Sequence, residues 1–132
     1  MEELHYVMYH NPDSMGYSFR EITEPCIMTN KEAAARKAEV SGMIWCIGRD
    51  GDRYFLYQRL VDTRLKNVQD SYFKFSLCGK DTFPKGHELE ITDKPYMPQI
   101  KKMLSLGLQR LHDQKIIDAF EAEFNQARKA GK

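Results

Sequence analysis

The sequence predicts a mixed α+β domain with an antiparallel or mixed sheet and two helices at the C-terminal end. Three observations carry this. Met43 to Leu60 is rich in apolar and aromatic residues and brackets a Gly51-Asp52 turn signal, the mark of a β-hairpin. Shorter alternating stretches on either side read as further strands. Beyond Pro98, apolar residues recur at helical spacing. The order is strand, helix, several strands, two helices, which favours α+β over a parallel α/β fold.

His5 to His10, rich in Tyr and Val, is the first expected strand, and Asn11-Pro12-Asp13-Ser14-Met15-Gly16 breaks it with turn residues. Residues 17–28 are ambiguous, a loop with a short strand through Cys26-Ile27-Met28. Thr29-Asn30-Lys31-Glu32 has the spacing of a capping box, and Ala33 to Glu39 is strongly helix-forming. Ser41-Gly42 ends that helix, and the hairpin follows. Its second strand is allowed as far as Asp62, and Thr63 to Asp70 reads as a polar loop.

Tyr72 to Leu77 alternates, with Phe73, Phe75 and Leu77 on one face, and Glu88 to Ile91 is a short strand. The breakers are Gly79-Lys80-Asp81 and Pro84-Lys85-Gly86. Pro98 suits a first helical turn, followed by the stripe Ile100, Met103, Leu104, Leu108, Leu111. Asp113 is the expected N-cap of the last helix, whose apolar face is Ile116, Ile117, Phe120 and Phe124. Residues 126–132 are expected to be a frayed basic tail.

The chain of 132 residues is expected to be one domain, 1–132, with 42% hydrophobic and 30% charged residues. Its net charge of +1 does not by itself demand a polyanionic partner. No apolar run approaches the roughly 18 residues of a membrane span, and no signal-peptide pattern opens the chain, so no membrane partner is expected. Cys26, Cys46 and Cys78 are odd in number and far apart. Reduced, buried thiols in a cytoplasmic protein are the default expectation.

The spacing of His5, His10, His87 and His112 fits no zinc motif, and no cofactor is expected. No Gly-x-Ser-x-Gly and no phosphate-binding glycine pattern is present. His10 and Asp13 lie close together at a strand end, where a general base could sit. An Asn/Asp turn bonding its own backbone is the simpler reading. That leaves the aromatic and basic set. In the second hairpin strand, Arg53, Phe55 and either Gln58 or Arg59 compete with Tyr54 and Leu56 for the two faces. Tyr9, Tyr17, Trp45, Tyr54, Tyr57 and Tyr72 are candidates for a stacking surface, although each taken singly suits a structural role.

The strand ending in Tyr9-His10-Asn11-Pro12-Asp13-Ser14-Met15-Gly16, the helix opening at Thr29-Asn30-Lys31, and the Trp45 strand leading through Gly51-Asp52-Arg53 into Tyr54-Phe55-Leu56-Tyr57 together resemble the small PUA-like domains, the EVE, YTH and ASCH groups. The resemblance covers roughly residues 5 to 95. It implies a small curved sheet or open β-barrel, with helices packed around it, that binds nucleic acid, DNA or RNA, with a flipped or modified base held between aromatic side chains. Carried onto this chain, it makes His10 and Asn11 the readers of the base edge, with Asn30 at a helix N-terminus. Trp45 would stack, with Tyr57 and other tyrosines completing the cage. Arg49, Arg53 and Arg59 would hold phosphates. The expected function is thus a non-enzymatic nucleic-acid-binding module. The alternatives are a protein-interaction module, with a homodimer through the C-terminal helices, and a small nucleotide-acting enzyme using His10.

Overall fold

The computed structural model describes residues 4–68, 72–84, 86 and 88–130. His87 and the last two residues of the expected tail, Gly131 and Lys132, lie outside the described residues. The chain runs β1 (Leu4–His10), α1 (Pro12–Met15), β2 (Cys26–Thr29), α2 (Glu32–Ala38), β3 (Gly42–Asp50), β4 (Arg53–Asn67), β5 (Phe75–Asp81), β6 (Leu89–Glu90), α3 (Met97–Met103), β7 (Gln109–Arg110) and α4 (Gln114–Ala130). The fold is α+β, as the sequence predicts. The strands form one curled mixed sheet in the order β2-β5-β4-β3-β1-β7, with β6 added beside the first half of β4. Among the described strands, only β1 and β3 pair in parallel.

The sheet is covered on both faces. On one, α3, the 3-10 turn after it and α4 pack Ile100, Leu104, Ile116, Ile117, Phe120 and Phe124 over Val7, Trp45, Ile47 and Leu56. On the other, Ala35 and Ala38 of α2 close over Tyr6, Ile44, Cys46 and Leu60. The small residues of α2 let it lie close: a Cβ at Gly42 would collide with the Ala38 carbonyl oxygen. The β3–β4 hairpin turns at Gly51, whose φ of 62° suits a residue without a side chain.

Several expectations are corrected. The Thr63 to Asp70 loop is strand as far as Asn67, because β4 bends at Asp62 (φ 53°) and its second half pairs with β5. Gly79-Lys80-Asp81 is likewise inside β5, where Gly79 makes room for the Val61 carbonyl at that bend. The Pro98–Leu111 stripe is helical only to Met103. A 3-10 turn and Gly107 (φ 71°) end it, sending Leu108 to one core and Leu111 to the other. No capping box forms at Thr29; its hydroxyl instead accepts from the Lys31 N–H. The tail expected to fray from residue 126 is helical through Ala130, with Ala127 buried. Asp113 does cap α4, accepting from the N–H groups of Lys115 and Ile116.

The cysteine expectation is corrected as well. Cys26 and Cys78 face each other across the β2–β5 pair and form a disulfide. Cys46 alone is free, fully buried, with burial pushing its thiol far up.

Candidate functional site

The site begins at the outer edge of β1. The backbone of a strand alternates its hydrogen-bonding direction residue by residue. The His5 carbonyl accepts from Leu111 N, so His5, Val7 and Tyr9 direct their N–H and C=O away from β3. Strand β7 pairs only opposite Tyr6 and Val7. Beyond Val7 none of the described strands covers this edge, and a cleft of about 1150 Å³ lies there. It wraps around the strand. Met8, His10 and Tyr57 line it from the α2 side of the sheet, and Tyr9, Tyr54 and Leu104 from the α3 side.

The lining is strongly aromatic. Tyr9, Tyr17, Tyr54, Tyr57, Tyr72 and Phe73 all contribute, with Lys101 as a cation whose Nζ lies 5.4 Å from the centre of the Tyr54 ring. Tyr57 is placed by a β-bulge. Cys46 pairs with Gln58 and Ile47 with Leu56, so Tyr57 is the extra residue, opposite none on β3. Its ring packs on Phe19, centroids 4.8 Å apart. Phe19 in turn lies over Gly48, where a Cβ would collide with that ring. Burial raises the Tyr57 hydroxyl well above its ordinary pKa and also raises Tyr9, so both stay protonated near neutral pH.

His10 is buried at the cleft wall (8% exposed). Its Nε2 lies 2.8 Å from the Tyr17 carbonyl oxygen. A carbonyl can only accept, so Nε2 is the donor of this bond. Asn11 caps α1, its Oδ1 accepting from Asp13 N, and also lines the cleft. His10 and Asp13 do not meet as an acid–base pair: Asp13 is ion-paired to Arg49. The Asn/Asp turn reading holds here.

The remaining expected site residues are placed differently. Trp45 is fully buried. It donates to His5 Nδ1 and packs on Phe120, so it cannot stack a ligand in an open cleft. None of the three arginines lines the cleft. Arg49 bonds the Tyr9 hydroxyl, the Gly51 carbonyl and Asp13. Arg53 pairs with Glu90. Arg59 lies on the Phe124 ring at 3.7 Å and bonds Thr82. The aromatic company of these arginines was legible, but the carboxylate partners of Arg49 and Arg53, 36 and 37 residues away in sequence, were not.

Asn30 is a clamp rather than a reader. It bonds the Tyr72 carbonyl and the Lys74 N–H, holding the lead-in to β5 that brings Tyr72 and Phe73 to the cleft. The apolar faces of α3 and α4, which one alternative would have partly buried against a partner or second copy, pack into this chain's own core. Lys101, Phe73 and the Met8–Met15–Met28 set are cleft residues that the sequence did not mark as a site, since no local motif joins them. Among the described residues, no three His, Cys, Asp or Glu side chains gather to hold a metal, and no helix is long and apolar enough to cross a membrane.

No family model matches the chain, no curated protein matches it, and no solved structure matches it.

Proposed function

We propose that this chain is a non-enzymatic binding module that holds a flat heteroaromatic ring, the base of a nucleic acid, in the cleft beside β1. The observation that carries the reading is the convergence of five tyrosines on one cleft from four separate segments of the chain. Tyrosines supply large stacking faces at low cost in side-chain entropy, and base–aromatic stacking is worth about 1–3 kcal/mol per base. A cleft of this size exceeds a single base and accommodates one or two nucleotides. His10 Nδ1 and the Asn11 side chain supply polar groups at its wall, and Lys101 is the cation placed to meet a phosphate. The arrangement is in keeping with a PUA-like domain of the EVE, YTH or ASCH kind, with tyrosines in the role first expected of Trp45.

The reading differs from the sequence expectation in its charge contacts. With the three arginines engaged elsewhere and one lysine among the described residues at the cleft, few phosphates are neutralised, so binding has a shallow salt dependence. The cytoplasmic setting expected from the cysteine count sits against the Cys26–Cys78 disulfide, which belongs either to an oxidising compartment or to a protein that exchanges thiols.

The test is calorimetric titration with nucleosides and short single-stranded DNA and RNA, with and without methylated bases. Saturable binding that Tyr57→Ala weakens and Trp45→Phe leaves unchanged is the expected result. No saturable binding of any base-containing probe overturns the reading.

A further inference from the structure

We propose that the Cys26–Cys78 disulfide is an exchangeable clasp that sets the affinity of the tyrosine cleft, closed when oxidised and slackened by a dithiol. The proposal rests on the base-binding reading for its functional consequence but not for its structural one.

Three observations carry it. First, the bond sits at the margin of the sheet. Strand β2 is the outermost strand on its side and pairs with β5 alone, over four residues, with Cys26 opposite Cys78 as the first pair. Second, β2 continues directly from the segment 17–25 that builds one wall of the cleft through Tyr17, Glu21, Ile22 and Glu24, and Cys26 itself lines the cleft. Besides the His10–Tyr17 bond and the ion pairs of Arg20 with Asp50 and Glu88, that wall is anchored at each end. At one end Phe19 is seated on Gly48 and Phe55. At the other the disulfide is reinforced by the bond from Gly79 N to the Pro25 carbonyl and by the Gln58 side chain on the Glu24 carbonyl. Third, both sulfur-bearing residues are half-buried, not sealed, so a thiolate can reach them. The remaining cysteine, Cys46, is fully buried with its thiol held protonated, so it neither attacks the bond nor scrambles it.

The step is thiol–disulfide exchange with a dithiol reductant. One of its thiolates attacks a sulfur of the pair and releases the other as a thiolate, which takes up a proton. The reductant's second thiolate then attacks its own first sulfur in the mixed disulfide and expels the remaining protein sulfur as a thiolate, which is protonated, leaving two protein thiols and an oxidised, disulfide-bonded reductant. What remains of the β2 anchor is a short outermost ladder, the kind of element that opens locally at low free energy. The end of the wall next to the bond, where Ile22, Glu24 and Cys26 line the cleft, then loses its fixed position, while Tyr17 stays on His10.

The experiment is hydrogen exchange on the whole chain, with and without dithiothreitol, alongside titration of the best base-containing probe in both states. Mass spectrometry after alkylation counts the thiols. The expected result is two added alkylated thiols on reduction, faster exchange confined to residues 22–29 and 75–79, and affinity lowered severalfold. A Cys26→Ser/Cys78→Ser double variant should behave like the reduced protein and be indifferent to dithiothreitol. Exchange that speeds up in 22–29 while no probe binds in either state upholds the clasp and overturns the base-binding reading instead. Unchanged exchange in 22–29 with equal affinity in both states overturns the clasp. So does a bond that resists dithiothreitol until the whole chain unfolds.

Discussion

Trp45 donates its indole N–H to His5 Nδ1 at 3.0 Å, the two rings lying 13° from parallel in the core between β1 and α4. The indole is a donor only, so His5 is held as the tautomer with its proton on Nε2, 3.9 Å from Glu121 of α4. The single tryptophan is therefore a structural residue. Trp45→Phe should cost about 1–3 kcal/mol by removing the buried hydrogen bond to His5. Trp45→Ala should cost about 3–5 kcal/mol by opening a cavity. Urea unfolding followed by circular dichroism measures both. In the wild type, Trp45 fluorescence should resist acrylamide and stay constant when the cleft fills; saturable quenching by a base would contradict this placement.

Tyr57 carries the opposite expectation. Truncation to Ala removes a stacking face worth about 1–3 kcal/mol, which raises Kd roughly fivefold to more than a hundredfold. Tyr57→Phe keeps the face and should bind within about twofold of wild type on the same argument. Because Tyr57 also packs on Phe19, affinity is compared at matched folded fraction, read from the denaturation curves. Equal affinity of Tyr57→Ala and wild type would remove Tyr57 from the site.

That bulge also explains why the site was only half legible. Strict alternation cannot place both Leu56 and Arg59 on the same face, and the sequence left the two in competition. The structure resolves it by inserting Tyr57: Leu56 faces the α3–α4 core before the bulge, and Arg59 reaches Phe124 on that same side after it. The β3–β4 hairpin, β1, α2 and the Asp113 cap were readable because each rests on local periodicity or turn chemistry, whereas β2 lay in a stretch the sequence left ambiguous. The disulfide, the Arg49–Asp13 and Arg53–Glu90 pairs and the Asn30 clamp depend on contacts distant in sequence. The helical stripe through Leu111 misled because five apolar residues kept a helical period across Gly107, where the backbone changes hand.

Two aspartates should give opposite pH signatures. The backbone N–H of Ile116, with Gln99 and Lys115, holds the Asp113 carboxyl below its ordinary range. Its contribution is present above the unfolded value of about 3.9 and is lost as pH falls through the lower folded value. Burial pushes Asp81 up instead, against the pull of the Phe83 and Arg59 N–H groups. Between the unfolded value and its higher folded one, the native state holds the extra proton, so ionising Asp81 works against the fold as pH rises. Asp113→Ala should lower Tm at neutral pH, with the gap to wild type narrowing in acid. Asp81→Asn, which keeps an oxygen for both N–H donors, should match or exceed wild-type Tm at neutral pH and lose that advantage in acid. Thermal scans across that range decide it; parallel shifts for the two variants would be wrong for both assignments.

The cleft wall can be tested from its other anchor. Gly48 is the β3 residue on which Phe19 rests, and an added methyl would overlap that ring at a distance no real contact tolerates. Phe19 must then move, and it is buried against Phe55 and Tyr57, so the displacement reaches the cleft directly. Overpacking of this kind costs about 1–3 kcal/mol. Gly48→Ala should therefore unfold at lower urea with an unchanged slope and bind the cleft ligand more weakly than its folded fraction explains. Truncating the partner should relieve most of the clash: in a Gly48→Ala/Phe19→Ala pair, which removes the Cγ and Cδ1 atoms nearest the added methyl, the two effects should be less than additive. Strict additivity would mean that Phe19 does not transmit the strain to the cleft.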